Sequence, residues 1–135
     1  MAGSLSDYLE NKLLDHVVGK TSFTMPTATW IRLYTVTPSD SGGGTEVTGG
    51  SYVALNIVGA AAWGTAASGG SIANSVAITF ATPSANWGTI VAFAVWDAQT
   101  SGNMLWWGLV TPNKTVNVGD AAPSFAIGAL TLTLD

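Results

Sequence analysis

Few side chains in this protein are equipped for chemistry, and their spacing limits what that chemistry could be. The sequence holds one histidine, His16, and eight carboxylates: Asp7, Glu10, Asp15, Asp40, Glu46, Asp97, Asp120 and Asp135. A histidine works as a general base when an activated hydroxyl and an orienting acid stand beside it. No G-x-S-x-G or other nucleophile signature accompanies His16. It falls near the end of a helix-forming stretch, where an imidazole suits the negative pole of the helix dipole. A glycosidase pair requires two carboxylates about 5–10 Å apart. Asp97 and Asp120 both fall at expected strand ends, where Asp is a common turn residue in any case. Asp40 and Glu46 flank a glycine-rich loop and could offer oxygens to calcium, but without the Asp-x-Asp-x-Asp-Gly spacing. The same glycines are followed neither by Lys-Ser/Thr nor by a helix pattern, so they do not form a phosphate loop. Cysteine is absent, which removes disulfides, thiolate metal sites and cysteine nucleophiles together. The expectation is a protein that is not an enzyme and needs no metal or cofactor.

Charge narrows the partners. The four basic residues, Lys12, Lys20, Arg32 and Lys114, do not cluster, and the net charge is −4. There is no footprint for nucleic-acid phosphates. No segment approaches the ~18 consecutive apolar residues of a membrane span. No signal-peptide pattern opens the chain, because Leu5 to Val18 carries charges throughout. Charged residues make up only 9% of the sequence and apolar ones 47%, against roughly 25% charged in ordinary soluble domains. Either uncharged Ser, Thr and Asn cover the surface, or part of it is buried against neighbouring subunits.

The tryptophans carry the most specific signal. Trp106 and Trp107 are adjacent in a strand pattern, so their side chains point to opposite faces. One can fill a core; the other meets a covering layer, a subunit or solvent. Trp30, Trp63, Trp87 and Trp96 raise the same question. Tryptophan serves cores, interface hot spots and sugar-stacking sites alike, and all three uses stay open at this point.

The elements that must position these residues are one helix and a series of strands. Leu5, Leu9, Leu13 and Val17 recur every four residues, joined by Tyr8 and Leu14, which predicts one amphipathic helix. Ser4 or Ser6 is placed to cap it, and Gly19 to stop it. A helix of about fourteen residues is marginal alone, so its stripe must dock on its own sheet or on a neighbour. After Pro26 the period changes from four to two. Strands are expected at Thr29–Thr37, Tyr52–Val58, Ile72–Phe80, Ile90–Asp97, Met104–Val110, Thr115–Val118, Ser124–Ile127 and Ala129–Leu134. Residues 38–50 read as a flexible Gly-rich loop, and 59–70 as a small-residue stretch interrupted by Trp63. Ile90–Asp97 and Met104–Val110 are apolar on both faces, which marks the centre of a covered sheet. The fold expected is all-β: a single domain over 1–135, an antiparallel β-sandwich or jelly-roll-like fold of about eight strands. Residues 1–19 form a helix and arm, and 27–135 the sandwich.

Three stretches give the sequence a family resemblance: SLSDYLENKLLDHV followed by TWIRLYTVTPSD; GGGTEVTGGSYV; and ANSVAITFATPSANWGTIVAFAVWDA running on to FAIGALTLTLD. Together they resemble small tailed-bacteriophage virion proteins often labelled tail-fibre proteins, over essentially the whole chain. Where such relatives often carry a basic-polar pair after a strand tyrosine, this chain has Val53 and Ala54. Trp106 and Trp107 stand where one aromatic is usual. Both departures make it more apolar. The resemblance implies a virion structural protein made in a host bacterial cytoplasm. Its similarity in style to capsid decoration proteins implies a cement subunit of the head, a homo-oligomer (a trimer) contacting the major capsid protein or other virion proteins. The alternative is a tail-fibre or adhesion component that binds the host surface, with Trp63 or Trp87 exposed on loops for stacking. Leu5, Tyr8, Leu9, Leu13, Val17, Trp63, Trp87 and Trp107 are the candidate interface residues, with the 42–50 loop as a further contact.

Overall fold

A computed structural model describes residues 3–58, 62–64 and 69–134, and its architecture is all-β and antiparallel with one helix. In chain order the elements are β1 (Gly3–Leu5), α1 (Asp7–Val17), β2 (Thr29–Val36), β3 (Thr45–Glu46), β4 (Leu55–Ile57) and β5 (Ser71–Ala73). Then come β6 (Ile78–Thr79), β7 (Gly88–Trp96), β8 (Met104–Val116), β9 (Ser124–Phe125) and β10 (Thr131–Thr133). The main sheet runs β1-β8-β7-β2, with β3 and β4 sharing the far edge of β2. Two short ribbons, β5 with β10 and β6 with β9, supply the second layer.

Alternation in β2 and β7 decides the layering. Ile31 and Leu33 pair with Val95 and Phe93, and these side chains enter the core between sheet and ribbons. There Phe93, fully buried, lies 5.7 Å from the Trp106 ring and 5.6 Å from Phe125 of β9. Arg32 and Tyr34 alternate onto the opposite face, paired with Ala94 and Ala92. Trp96, Trp107 and Leu109 complete a smaller apolar cluster on that side. The adjacent tryptophans thus divide as a strand requires: Trp106 inward, Trp107 outward.

Several sequence expectations are corrected. Leu5 does not begin the helix. Gly3–Leu5 is an edge strand on β8, with Leu5 opposite Trp106, and Ser6 starts the helix. The strand needs glycine where it crosses the indole: a Cβ on Gly3 would lie 2.3 Å from the Trp106 ring, and one on Gly108 2.6 Å. Ile72–Phe80 is not one strand. The buried Asn74 breaks it, its Nδ2 donating to Val76 O (2.7 Å) and Ala126 O (2.9 Å) while its Oδ1 accepts from Leu130 N (2.9 Å). One side chain thereby ties the two ribbons together. Met104–Val110 and Thr115–Val118 do not form two strands. Apart from Asn117 and Val118 they join in β8, with a register shift opposite Ile90–Ala92 where Pro112 is accommodated. The 38–50 loop is not merely flexible cover. Gly42, Gly43 and Gly44 at positive φ turn the chain back, β3 pairs with β2, and Val47 is buried with its N–H on Leu33 O at 2.9 Å. Of the small-residue stretch 59–70, residues 59–61 and 65–68 lie outside the described residues, as does Asp135.

Candidate functional site: an apolar groove beside the helix

The helix is fixed at one end and open along one side. Ser6, buried at its N-cap, accepts from Leu9 N at 3.2 Å and donates its hydroxyl to Met104 O. Ser6 N–H reaches Leu105 O (3.0 Å) and Asp7 N–H reaches Asp40 O (2.9 Å). The start of α1 is therefore bound to β8 and to the 38–44 turn. At the other end Gly19 turns out of the helix at φ 75°, and Phe23 N–H donates to His16 Nδ1 at 3.1 Å. No residue of α1 is fully buried.

Between α1 and the β5–β10 ribbon lies a groove of about 410 Å³. Leu9 and Leu13 form its helical wall, Leu5 and Trp106 lie in its floor, and Ile72, Leu132 and Leu134 form the far wall, with Phe23 and Pro26 closing one end. The ridge beside it is apolar as well: Leu14 is 65% exposed, Val17 79% and Val18 73%, and Met25 stands out nearby. Contiguous exposed apolar surface of this kind marks contact sites in soluble proteins.

The predicted interface residues separate. Leu5, Leu9 and Leu13 meet in the groove, and Val17 stands on its exposed ridge. Tyr8 turns to the other side of the helix, its ring 5.7 Å from the Lys12 ammonium. Trp63 is half-buried against the core, its indole N–H 3.4 Å from Thr29 Oγ1. Trp107, half-buried on the outer face of the sheet, donates to Asp40 Oδ1 at 2.9 Å. Trp87 is a correction: it is 5% exposed, its N–H donates to Gly50 O at 2.8 Å, and its ring meets Tyr52 edge-on at 5.3 Å. An indole with its polar atom satisfied by a loop carbonyl belongs inside the fold, and Trp87 is not available for stacking.

The carboxylates divide among structural tasks. Asp97 accepts from Asn103 N (2.7 Å) and Nδ2 (2.9 Å) at one end of the β7–β8 hairpin. Asp120 accepts from Asn117 N (2.8 Å) in the turn beyond the other end, so the two do not share a groove. Glu46 lies 3.6 Å from Arg32 Nη1 and accepts from the Tyr52 hydroxyl at 3.0 Å. Arg32 is the polar residue that sequence reasoning overlooked. It is 95% buried by its 5% exposure, stacks 3.9 Å over the Trp96 ring, and donates to Ala98 O and Ser101 O, both at 2.8 Å. Its position on the apolar β2 strand was the available signal, since a lone arginine there must find partners. Burial, with Glu46 adding to it, raises the Tyr34 hydroxyl pKa above its ordinary value despite Trp96 and Arg32. Burial also raises that of Tyr52, partly offset by the Leu33 N–H. Among the described residues no three metal-ligating side chains gather, and no helix is long and apolar enough to cross a membrane.

A family described as "Podophage GP4 fiber I protein gp80" matches residues 4–133. The chain belongs to this family. It is therefore a bacteriophage virion structural protein of the fibre type, and the resemblance read from its sequence motifs holds at that level. No individually curated protein matches it.

Proposed function

We propose that the chain is a subunit of a tail fibre, acting by protein–protein contact and not by catalysis, and that copies of it associate through the groove beside α1. The observation that carries the fibre assignment is the family match over nearly the whole chain, whose description names a fiber protein. It favours the tail over the capsid cement role that the resemblance to decoration proteins implied.

The groove carries the mode of association. Burying a side chain such as Leu14 or Val17 contributes roughly 1.5–3 kcal/mol, while association costs about 4–15 kcal/mol in lost freedom. A helix ridge with three such residues, plus the groove beside it, offers enough apolar surface to meet the lower part of that cost. A trimer is the oligomer we favour, with other virion proteins as its attachment points.

Gold-tagged antibody against the chain, imaged on intact virions, tests the location. Labels confined to the tail support the fibre reading; labels spread over the head would restore the decoration reading in its place.

A further inference from the structure

A second cleft, of about 330 Å³, lies on the opposite side of α1 from the apolar groove, between the helix start, the 40–42 turn and the 102–104 segment. Tyr8 and Trp96 line it together with Asp7, Asp40, Ser41 and Asn103. We propose that this cleft binds a neutral saccharide unit of a glycan. The inference takes its biological setting from the fibre reading, but the binding itself does not depend on it.

The aromatic lining is the first argument. The C–H face of a pyranose carries partial positive charge and settles on the electron-rich face of an aromatic ring. Arg32 stacks on Trp96 at 3.9 Å and holds the indole in place, and the half-buried Trp96 side chain lines the cleft. The volume sits at the lower end of the roughly 300–1,000 Å³ of small-ligand sites.

The polar groups are the second argument, because each is anchored through one atom and free at another. Asp40 Oδ1 is held by the Trp107 indole N–H at 2.9 Å, and its backbone carbonyl by Asp7 N–H. Asn103 is held by Asp97 through its backbone N–H and Nδ2. Among the described residues Asp40 Oδ2, Asn103 Oδ1 and the Asp7 carboxylate have no hydrogen-bond partner. Contacts that fix a side chain through one atom and leave its other acceptor unspent are what a preorganised polar site requires. The remaining Asn103 N–H adds a donor, and Ser41 Oγ, whose own proton goes to Ser39 Oγ because Ser39 donates to Gly42 O, adds an acceptor; a sugar hydroxyl needs both kinds of partner. Asp7 and Asp40 line the cleft, while the nearest cations, Lys12 beside the Tyr8 ring and Arg32 on Trp96, stay outside its lining; this balance disfavours uronic acids and phosphosugars and leaves neutral sugars as the matching class.

The test is an amide and indole chemical-shift titration of the full ¹⁵N-labelled chain. The probes are methyl glycosides of glucose, galactose, rhamnose and N-acetylglucosamine, with glucuronic acid and N-acetylarginine amide alongside. The expected result is that a neutral glycoside shifts the Trp96 indole and Asn103 side-chain signals at millimolar concentration, binding roughly tenfold tighter than glucuronic acid. Asp40→Asn retains an acceptor for Trp107, and Asn103→Ala leaves the aromatic lining intact. Each variant is expected to weaken that binding by about tenfold without changing the remainder of the spectrum. No shift of the Trp96 or Asn103 signals by any neutral glycoside up to ~100 mM, far above useful affinities, overturns the proposal. Tighter binding of N-acetylarginine amide than of every sugar overturns it too, by making the cleft a cation site on a protein-binding surface. Sugar binding indifferent to both variants would overturn it by placing the contact elsewhere. None of these outcomes touches the fibre assignment, which virion labelling tests separately.

Discussion

The aromatic centre of the sandwich and the groove beside α1 are built from the same kinds of residue and end in opposite conditions. At the centre, Tyr52, Phe80, Trp87, Phe93, Trp106 and Phe125 meet ring against ring, and the polar atoms of Tyr52 and Trp87 have partners. Beside the helix, Leu9, Leu13, Ile72 and Leu132 face one another across about 410 Å³ that no part of the described chain fills. Chain connectivity explains the contrast. The centre is closed by long paired strands and by Asn74, which locks both ribbons down. The helix is tied at Ser6 and Asp7, and its apolar stripe meets the short β5–β10 ribbon only across the groove. Interiors are ordinarily close-packed, so an apolar cleft of this size at the edge of a stable core is the surface on which the proposed association of copies rests.

Substitutions should separate the two regions. Phe93→Ala empties the centre of the aromatic cluster and is expected to lower the unfolding free energy by ~3–5 kcal/mol, measured by urea denaturation. A loss no larger than that from Leu13→Asp would remove the contrast. Arg32→Ala comes next. It leaves Glu46 without its cation and the Ala98 and Ser101 carbonyls without donors. The expected cost is about 2–4 kcal/mol, less than for a fully buried pair because Glu46 is about one-third exposed. Gly108→Ala drives a Cβ into the Trp106 ring and should cost ~1–3 kcal/mol by overpacking, with a shift in tryptophan fluorescence marking the displaced indole.

The smallest effect is on alkaline stability. Tyr34 and Tyr52 have raised pKa values when folded, so the native state holds their protons more tightly than the unfolded state does. The resulting stability is fully present below the ordinary tyrosine pKa of about 10 and is lost as pH rises through the higher folded values. Titration by tyrosinate absorbance should find Tyr34 and Tyr52 ionising above the ordinary tyrosine range. Ionisation of all three tyrosines in the native protein near pH 10 would show that the Arg32–Glu46 corner is wetter than described.

How much of this was legible in the sequence depended on the range of the contacts. The β2 and β7 strands were legible because a period of two is a local property, whereas the register shift at Ile90–Ala92 that puts Val91 with Ala92 on the outer face was not. The helix and its Ser6 cap were legible for the same reason. The break at Asn74 was not, since the groups that satisfy its amide come from Ala126 and Leu130, far along the chain. Trp87 was rightly placed in a loop but read as exposed, because the carbonyl that receives its N–H belongs to Gly50, in a different loop. Half of the groove was visible as the Leu9–Leu13 stripe. The other half was hidden, because Ile72 and Leu132 become a wall only when β5 and β10 pair.

Light scattering of the purified full chain, wild type beside Leu13→Asp, tests the central claim most directly. The wild type is expected as a homo-oligomer, a multiple of the 13.8 kDa protomer. The variant, with a carboxylate in the groove wall, is expected as a monomer whose urea midpoint stays close to that of wild-type protein diluted to the monomer. A monomeric wild type, or a variant that assembles to the same mass, would contradict the account: the groove would then not be where copies of this chain meet.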